Sequence, residues 1–128
     1  MAKSHLVFVY GSLKRGEHNH GLLRAAEYRG EARTERQFRL YALPYYPALV
    51  RGDGDPQPIV GEVYSIDEAA LRILDRLEDN GRLYQRELIR VDSLDRPDER
   101  LLAWAYLFLG DLQGASPCPD ERWSGSNR

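Results

Sequence analysis

The chain has 128 residues, a length that suits one domain around one core. Apolar residues make up 42% and charged residues 30%, and the net charge of −2 excludes a broad electrostatic attraction to nucleic acid or to an anionic membrane. No apolar run approaches the roughly 20 residues needed to cross a bilayer; Cys118 is the single cysteine, which excludes an intramolecular disulfide and fits a reducing compartment, the cytoplasm by default.

The stretch His5 to Tyr10 reads as a first strand rather than a signal peptide, because its apolar run ends in a turn with no small-residue cleavage site. Leu6, Val7, Phe8 and Val9 are continuous and apolar, as in a strand buried on both faces. Asn19 is placed to cap a short helix carrying Leu22, Leu23 and Ala26. Gln37 to Leu43 alternates through Phe38, Leu40 and Ala42 as a half-buried strand, which Pro44 to Pro47 interrupts. DGDPQP (53–58) is a turn-rich loop. Ile59 to Ile66 is a further strand, and Gly61 within it marks a bulge or a close backbone approach.

Asp67 to Asp79 is the clearest helix. Ser65 with Glu68 spells a capping box, Asp67 is a rival cap, and Asn80 with Gly81 ends the helix. Tyr84 to Val91 and the nine-residue apolar run Leu101 to Leu109 complete the strands. These elements assign 1–110 to a single domain and 111–128, rich in Gly, Ser, Pro and charge, to a flexible tail. Strands dominate without a βαβ alternation. The expected class is α+β: a small mixed domain with a curved, barrel-like sheet and two or more short helices.

On a helical wheel of 67–79, Ala70, Leu71, Leu74 and Leu77 share one arc, and every charge but one falls outside it. The exception is Glu78, which projects between Leu71 and Leu74. An unpaired carboxylate held there is driven to take up a proton, which raises its pKa toward the range a general acid/base needs. The pattern alone favours the structural reading, in which Glu78 reaches solvent or pairs with Arg82 or Arg86.

The second feature is the turn after the first strand, LVFVYGSLKRG (6–16). Gly11 and Gly16 are spaced as in a phosphate loop, but Glu17 and His18 stand where the lysine and hydroxyl belong. Ser12 lacks the G-x-S-x-G setting of a nucleophile. HNH at 18–20 matches a nuclease signature in letters only, and three His with one Cys make no closed zinc set. Phosphate or nucleic-acid binding through Lys14, Arg15 and Arg24 is disfavoured by the missing loop lysine and the negative net charge. A strand ending in Tyr-Gly-Ser-Leu instead frees successive backbone N–H groups as an anion cradle, and Gly11 would let a ligand approach the backbone.

These residues resemble the γ-glutamylcyclotransferase-like family. VFVYGSLKRGEHNH carries its opening Tyr-Gly-[Ser/Thr]-Leu mark, and Lys14, Gly16, Asn19 and His20 are similar to the γ-glutamylamine cyclotransferase branch. YYPALV (45–50), GEVYSID (61–67), LDRLEDNGRLYQR (74–86) and the late strand around WAYLF follow in family order, so the likeness covers about residues 6 to 109. The resemblance implies a barrel-like domain with a pocket beside the turn and cyclisation of a γ-glutamyl compound to 5-oxoproline with release of an amine or amino acid. It implies Glu78 as general acid/base. In the mechanism built on this, the backbone N–H groups of Gly11, Ser12 and Leu13 are the cradle, Tyr10 and Tyr84 are candidate substrate-binding walls with core tyrosines as the alternative, and Tyr46 and Pro47 are candidates to line the same cavity. The expected partner is a small γ-glutamyl substrate, with no metal, cofactor, nucleic acid or membrane. A non-catalytic module holding a γ-glutamyl or other small carboxylate ligand is the alternative. One departure stands out: the family often has Glu-Gly where this chain has Glu78-Asp79, which bears on leaving-group preference.

Overall fold

The computed structural model describes residues 4–17, 19–44, 46–52 and 56–118. Ten elements follow in order: β1 (Ser4–Val9), a 3-10 turn (His20–Leu23), β2 (Glu27–Thr34), β3 (Phe38–Ala42), β4 (Pro47–Arg51), β5 (Val60–Asp67), α1 (Glu68–Leu77), β6 (Tyr84–Ser93), β7 (Arg100–Phe108) and β8 (Ser116–Pro117). Five strands close a barrel in the order β1-β5-β2-β6-β7, and β4-β3-β8 form a second small sheet. The expected α+β class with a barrel-like sheet is what the chain adopts.

The continuous apolar run of β1 follows from its position between two cores. Phe8 points into the barrel beside Val63, Ile89, Ala103 and Ala105. Val7 and Val9 point outward, beneath Leu71 and Leu74 of α1. β7 divides the same way: Ala103, Ala105 and Leu107 fill the interior, while Trp104, Tyr106 and Phe108 face the outer cluster. Strands covered on both sides need no polar alternation. Phe38, Leu40 and Leu49 of the β3–β4 hairpin join the interior cluster.

Two strands escaped the sequence reading. β2 buries little more than Gly30, Ala32 and Thr34 and carries charge elsewhere, and a register shift between Tyr28 and Gly30 breaks its period. β4 begins at Pro47, immediately after the proline-flanked interruption. The Asn19 helix is a single 3-10 turn, and Asn19 makes no side-chain cap. Asp67, not Ser65, caps α1, accepting from the Ala70 N–H at 2.8 Å. Leu77, expected on the buried arc, is 40% exposed, because α1 seats on the barrel through Leu71 and Leu74. Gly61 is a close approach: a Cβ there would overlap the Val9 carbonyl and the Phe8 ring. In the segment assigned to a tail, Ser116–Pro117 pair with β3, and the Cys118 N–H donates to the Leu40 carbonyl at 2.9 Å. Residues 53–55 of the expected loop 53–58, and all of 119–128, lie outside the described residues.

Candidate active site

β1 stops pairing with β5 at Val9–Glu62, and the chain turns at once. The Lys14 N–H donates to the Gly11 carbonyl at 3.0 Å and the Asn19 N–H to the Ser12 carbonyl at 2.9 Å. Asn19 also donates through Nδ2 to Ser12 Oγ at 2.9 Å, which is what this residue does instead of capping a helix. His20 donates through Nδ1 to the Leu13 carbonyl at 3.0 Å, so its ring is fixed on the backbone, and among the described residues Ser12 Oγ is bonded by Asn19 and not by a histidine. His18 lies outside the described residues. The turn's carbonyls are thus satisfied from behind. Among the described residues, the N–H groups of Gly11, Ser12 and Leu13 are not donors in any of these bonds. Buried amides in that condition suit an acceptor brought by a ligand.

The opposite wall comes from the end of α1. Glu78 is the helix C-cap, with φ −89° and ψ 1°, and its N–H donates to the Leu74 carbonyl at 2.9 Å. Asp79 then takes φ 50°, which reverses the chain and sends the two neighbouring carboxylates apart. Asp79 turns outward, 3.9 Å from Arg82 Nε. Arg86 is held by Asp75 through two bonds of 2.8 and 3.2 Å. Arg86 is therefore engaged elsewhere, while Arg82 is exposed at the surface with only a long contact to Asp79. Glu78 is half-buried, and burial pushes its carboxyl up to about 7.

Between these walls is a hollow with about 380 Å³ of atom-free space, counted to its open mouth. All the residues singled out from the sequence line it: Tyr10, Gly11, Ser12, Leu13, Tyr46, Glu78 and Tyr84. Pro47, expected beside Tyr46, lines it too. A Cβ at Gly11 would overlap the Pro47 ring, so the glycine makes room for the β4 proline rather than for a ligand. The Tyr84 hydroxyl donates to the Pro47 carbonyl at 2.6 Å, and the Tyr10 hydroxyl donates to the Tyr106 carbonyl. Both protons are spent on the backbone, which makes these tyrosines walls of the pocket more than donors to its contents. Burial, with the Glu78 charge as a lesser cause, raises the pKa of each, so both stay neutral at cellular pH. Tyr46 and Phe108 stack edge-on or tilted against Tyr84, at 6.4 and 5.4 Å between ring centroids, and close the aromatic side.

Sequence reasoning missed Tyr106, which lines the pocket. Its hydroxyl donates to Asp75 Oδ1 at 2.7 Å. The signal was present in the alternation of β7, where Trp104, Tyr106 and Phe108 share the face opposite Ala103, Ala105 and Leu107. No cluster of His, Cys, Asp and Glu among the described residues could hold a metal ion.

A closed barrel with a partly buried acid and a glycine turn lining one hollow has the form of a small-molecule site. The family model described as gamma-glutamyl cyclotransferase, AIG2-like, matches residues 7–125, and the chain belongs to that family of enzymes. It is 41% identical over 97 residues to the human gamma-glutamylaminecyclotransferase, covering 70% of this chain and 63% of that protein. It is 32% identical over 117 residues to the gamma-glutamylcyclotransferase family protein YtfP of Escherichia coli, covering 91% and 94%. The crystal structure of an AIG2-like protein from Mus musculus superposes with a TM-score of 0.80 at 29% identity, covering 94% of this chain and 88% of that one.

Proposed function

We propose that this enzyme converts a γ-glutamyl amine into 5-oxoproline and the free amine, with Glu78 as general acid and base. The observation that carries the reading is the position of Glu78: half-buried, apart from the Asp75–Arg86 pair, in one pocket with Gly11, Ser12 and Leu13 of the glycine turn. The substrate's γ-glutamyl carboxylate or reacting carbonyl rests on the N–H groups of Gly11, Ser12 and Leu13. Its α-ammonium gives a proton to the Glu78 carboxylate. The freed amine attacks its own γ-carbonyl carbon and closes a five-membered ring. Attack within one molecule carries a large effective molarity, so no enzyme nucleophile is called for. As the bond from that carbon to the leaving nitrogen breaks, Glu78 returns the proton to the departing amine; the ring nitrogen gives up its second proton to the same carboxylate, which passes it on to the amine as the ammonium leaves. A carboxyl titrating at about 7 accepts and releases a proton with similar ease near neutrality.

Two facts favour an amine over an amino acid as the leaving group. Glu78 is the one charged side chain among the described pocket residues, and no Lys or Arg lines the hollow to receive a second carboxylate. The human relative is named for γ-glutamyl amines.

The test is Glu78→Gln, which keeps the size and removes the base. Release of 5-oxoproline from γ-glutamyl amines should fall by at least about a hundredfold with the fold intact. Turnover near wild type would end the proposal. A parallel panel of γ-glutamyl amines and γ-glutamyl amino acids decides the leaving group. Preference for the amino acids would overturn that part alone.

A further inference from the structure

The Leu-Asp-x-Leu-Glu stretch (74–78) contains a second acid that the reaction does not use. Asp75 lies one helical turn before Glu78 and is half-buried. It accepts from Arg86 Nε and Nη2 and, on Oδ1, from the Tyr106 hydroxyl. Its carbonyl accepts from the Asn80 N–H at 2.9 Å, and Asn80 Oδ1 accepts in turn from the Arg86 N–H at 2.8 Å. The Arg86 guanidinium also lies 4.2 Å from the centre of the Trp104 ring. The last turn of α1 is thereby fastened to β6 and β7 by side chains whose bonds converge on one carboxylate.

We propose that Asp75 is a positioning residue: by holding the Arg86 guanidinium and the Tyr106 hydroxyl, it fixes the helix end from which Glu78 enters the pocket and keeps the cation off that acid. The proposal rests on Glu78 being the proton carrier. The Tyr106 hydroxyl is where the groups meet: Tyr106 lines the pocket with Glu78 and donates to the same Asp75 oxygen that accepts from Arg86 Nε. Around Glu78 the facing titratable groups are Tyr10 just after β1, Tyr84 from β6 and Tyr106 from β7, with Tyr46 ahead of β4. The charges on its own segment are Asp75 and Asp79, paired with Arg86 and Arg82 respectively. Among these, Arg86 is the partly buried cation, and a partly buried cation released beside a carboxylate is the stronger perturbation.

The charges predict opposite effects from the two ends of the pair. Asp75→Asn keeps the shape but leaves Arg86 uncompensated, which stabilises the ionised form of Glu78. Arg86→Gln leaves Asp75 uncompensated, which disfavours that form. The measurement is the carboxyl titration of Glu78 by carbon NMR on glutamate-labelled full-length protein, its resonance assigned by loss in Glu78→Gln. The same variants are assayed for kcat/KM against pH. The titration should move down by about one pH unit in Asp75→Asn and up by a similar amount in Arg86→Gln. Arg86→Lys, which keeps the charge, should lie near wild type. The acid limb of the rate profile should move with each titration. A Glu78 titration unmoved by Asp75→Asn and by Arg86→Gln would overturn the proposal, whatever happens to stability. Should one of these fail to fold, the direction of the other decides. If the titration moves and Glu78→Gln still turns over, the positioning role stands and the assignment of Glu78 as base falls.

Discussion

The Tyr84 hydroxyl donates to the Pro47 carbonyl at 2.6 Å, and the ring of that same proline covers Gly11. One residue at the start of β4 therefore joins the β6 wall of the pocket to the glycine turn. Tyr84→Phe removes the donor and keeps the ring, leaving a buried carbonyl without its partner. The expected loss is about 1–3 kcal/mol of folding stability, read by urea denaturation. An unchanged midpoint would mean that the carbonyl has found water and that the wall is looser than described.

Gly11→Ala tests the other half of this joint. The added methyl has to displace the Pro47 ring, and with it the β3–β4 hairpin that supplies Tyr46. Overpacking of this kind costs about 1–3 kcal/mol. Because the hairpin forms one side of the pocket, KM for a γ-glutamyl amine should rise along with the loss in stability. A variant as stable as wild type with unchanged KM would show that the hairpin yields freely.

Asp79 occupies a left-handed position, φ 50°, that glycine adopts without strain. Its carboxylate is 52% exposed and its contact with Arg82 is long, so little is lost with the side chain. Asp79→Gly should therefore stabilise the protein by about 0.5–1 kcal/mol, net of the greater freedom glycine gives the unfolded chain. Since the carboxylate points away from the pocket, the ranking of γ-glutamyl substrates should stay as in wild type. Thermal unfolding reads the first effect and a substrate panel the second. A changed ranking would place Asp79 on the path of the leaving group.

What could be read from the residues was the part written in side-chain pattern. β1 was legible because burial on both faces leaves an unbroken apolar run. Glu78 stood out because it broke an amphipathic rule that every other charge on α1 obeyed. β2 was not legible, because small residues fill its buried positions and a bulge at Gly30 destroys the alternation. Gly11 was read as pocket backbone, yet what demands a glycine there is a proline 36 positions further along the chain. Contacts of that range leave no periodic trace. The ties of Tyr10 and Tyr84 to backbone carbonyls were hidden for the same reason, as was the engagement of Arg86 by Asp75. Even the inward turn of Glu78 depends on the helix stopping at Leu77, a boundary the wheel does not fix.

The displaced ionisation of Glu78 makes folding stability depend on pH, with a definite sign. The carboxyl titrates at about 7 in the folded protein against an ordinary 4.5. Below the lower value it is protonated in both states and adds no pH dependence. Between the two values the folded protein keeps a proton that the unfolded chain has released, so stability falls as pH rises. Above the upper value the carboxylate is ionised in both states and the whole loss is in place, on the order of 3 kcal/mol before allowance for water at the pocket mouth. Glu78→Gln has nothing to ionise there. It should be more stable than wild type at about pH 8 by up to that amount, and the difference should shrink on acidification toward the ordinary carboxyl range. Urea denaturation of both proteins at about pH 5 and about pH 8 measures it. A glutamine variant whose advantage fails to grow with pH would mean that the Glu78 carboxylate is hydrated in the folded state, and a hydrated carboxylate would be too weak a base near neutrality for the proton transfer assigned to it.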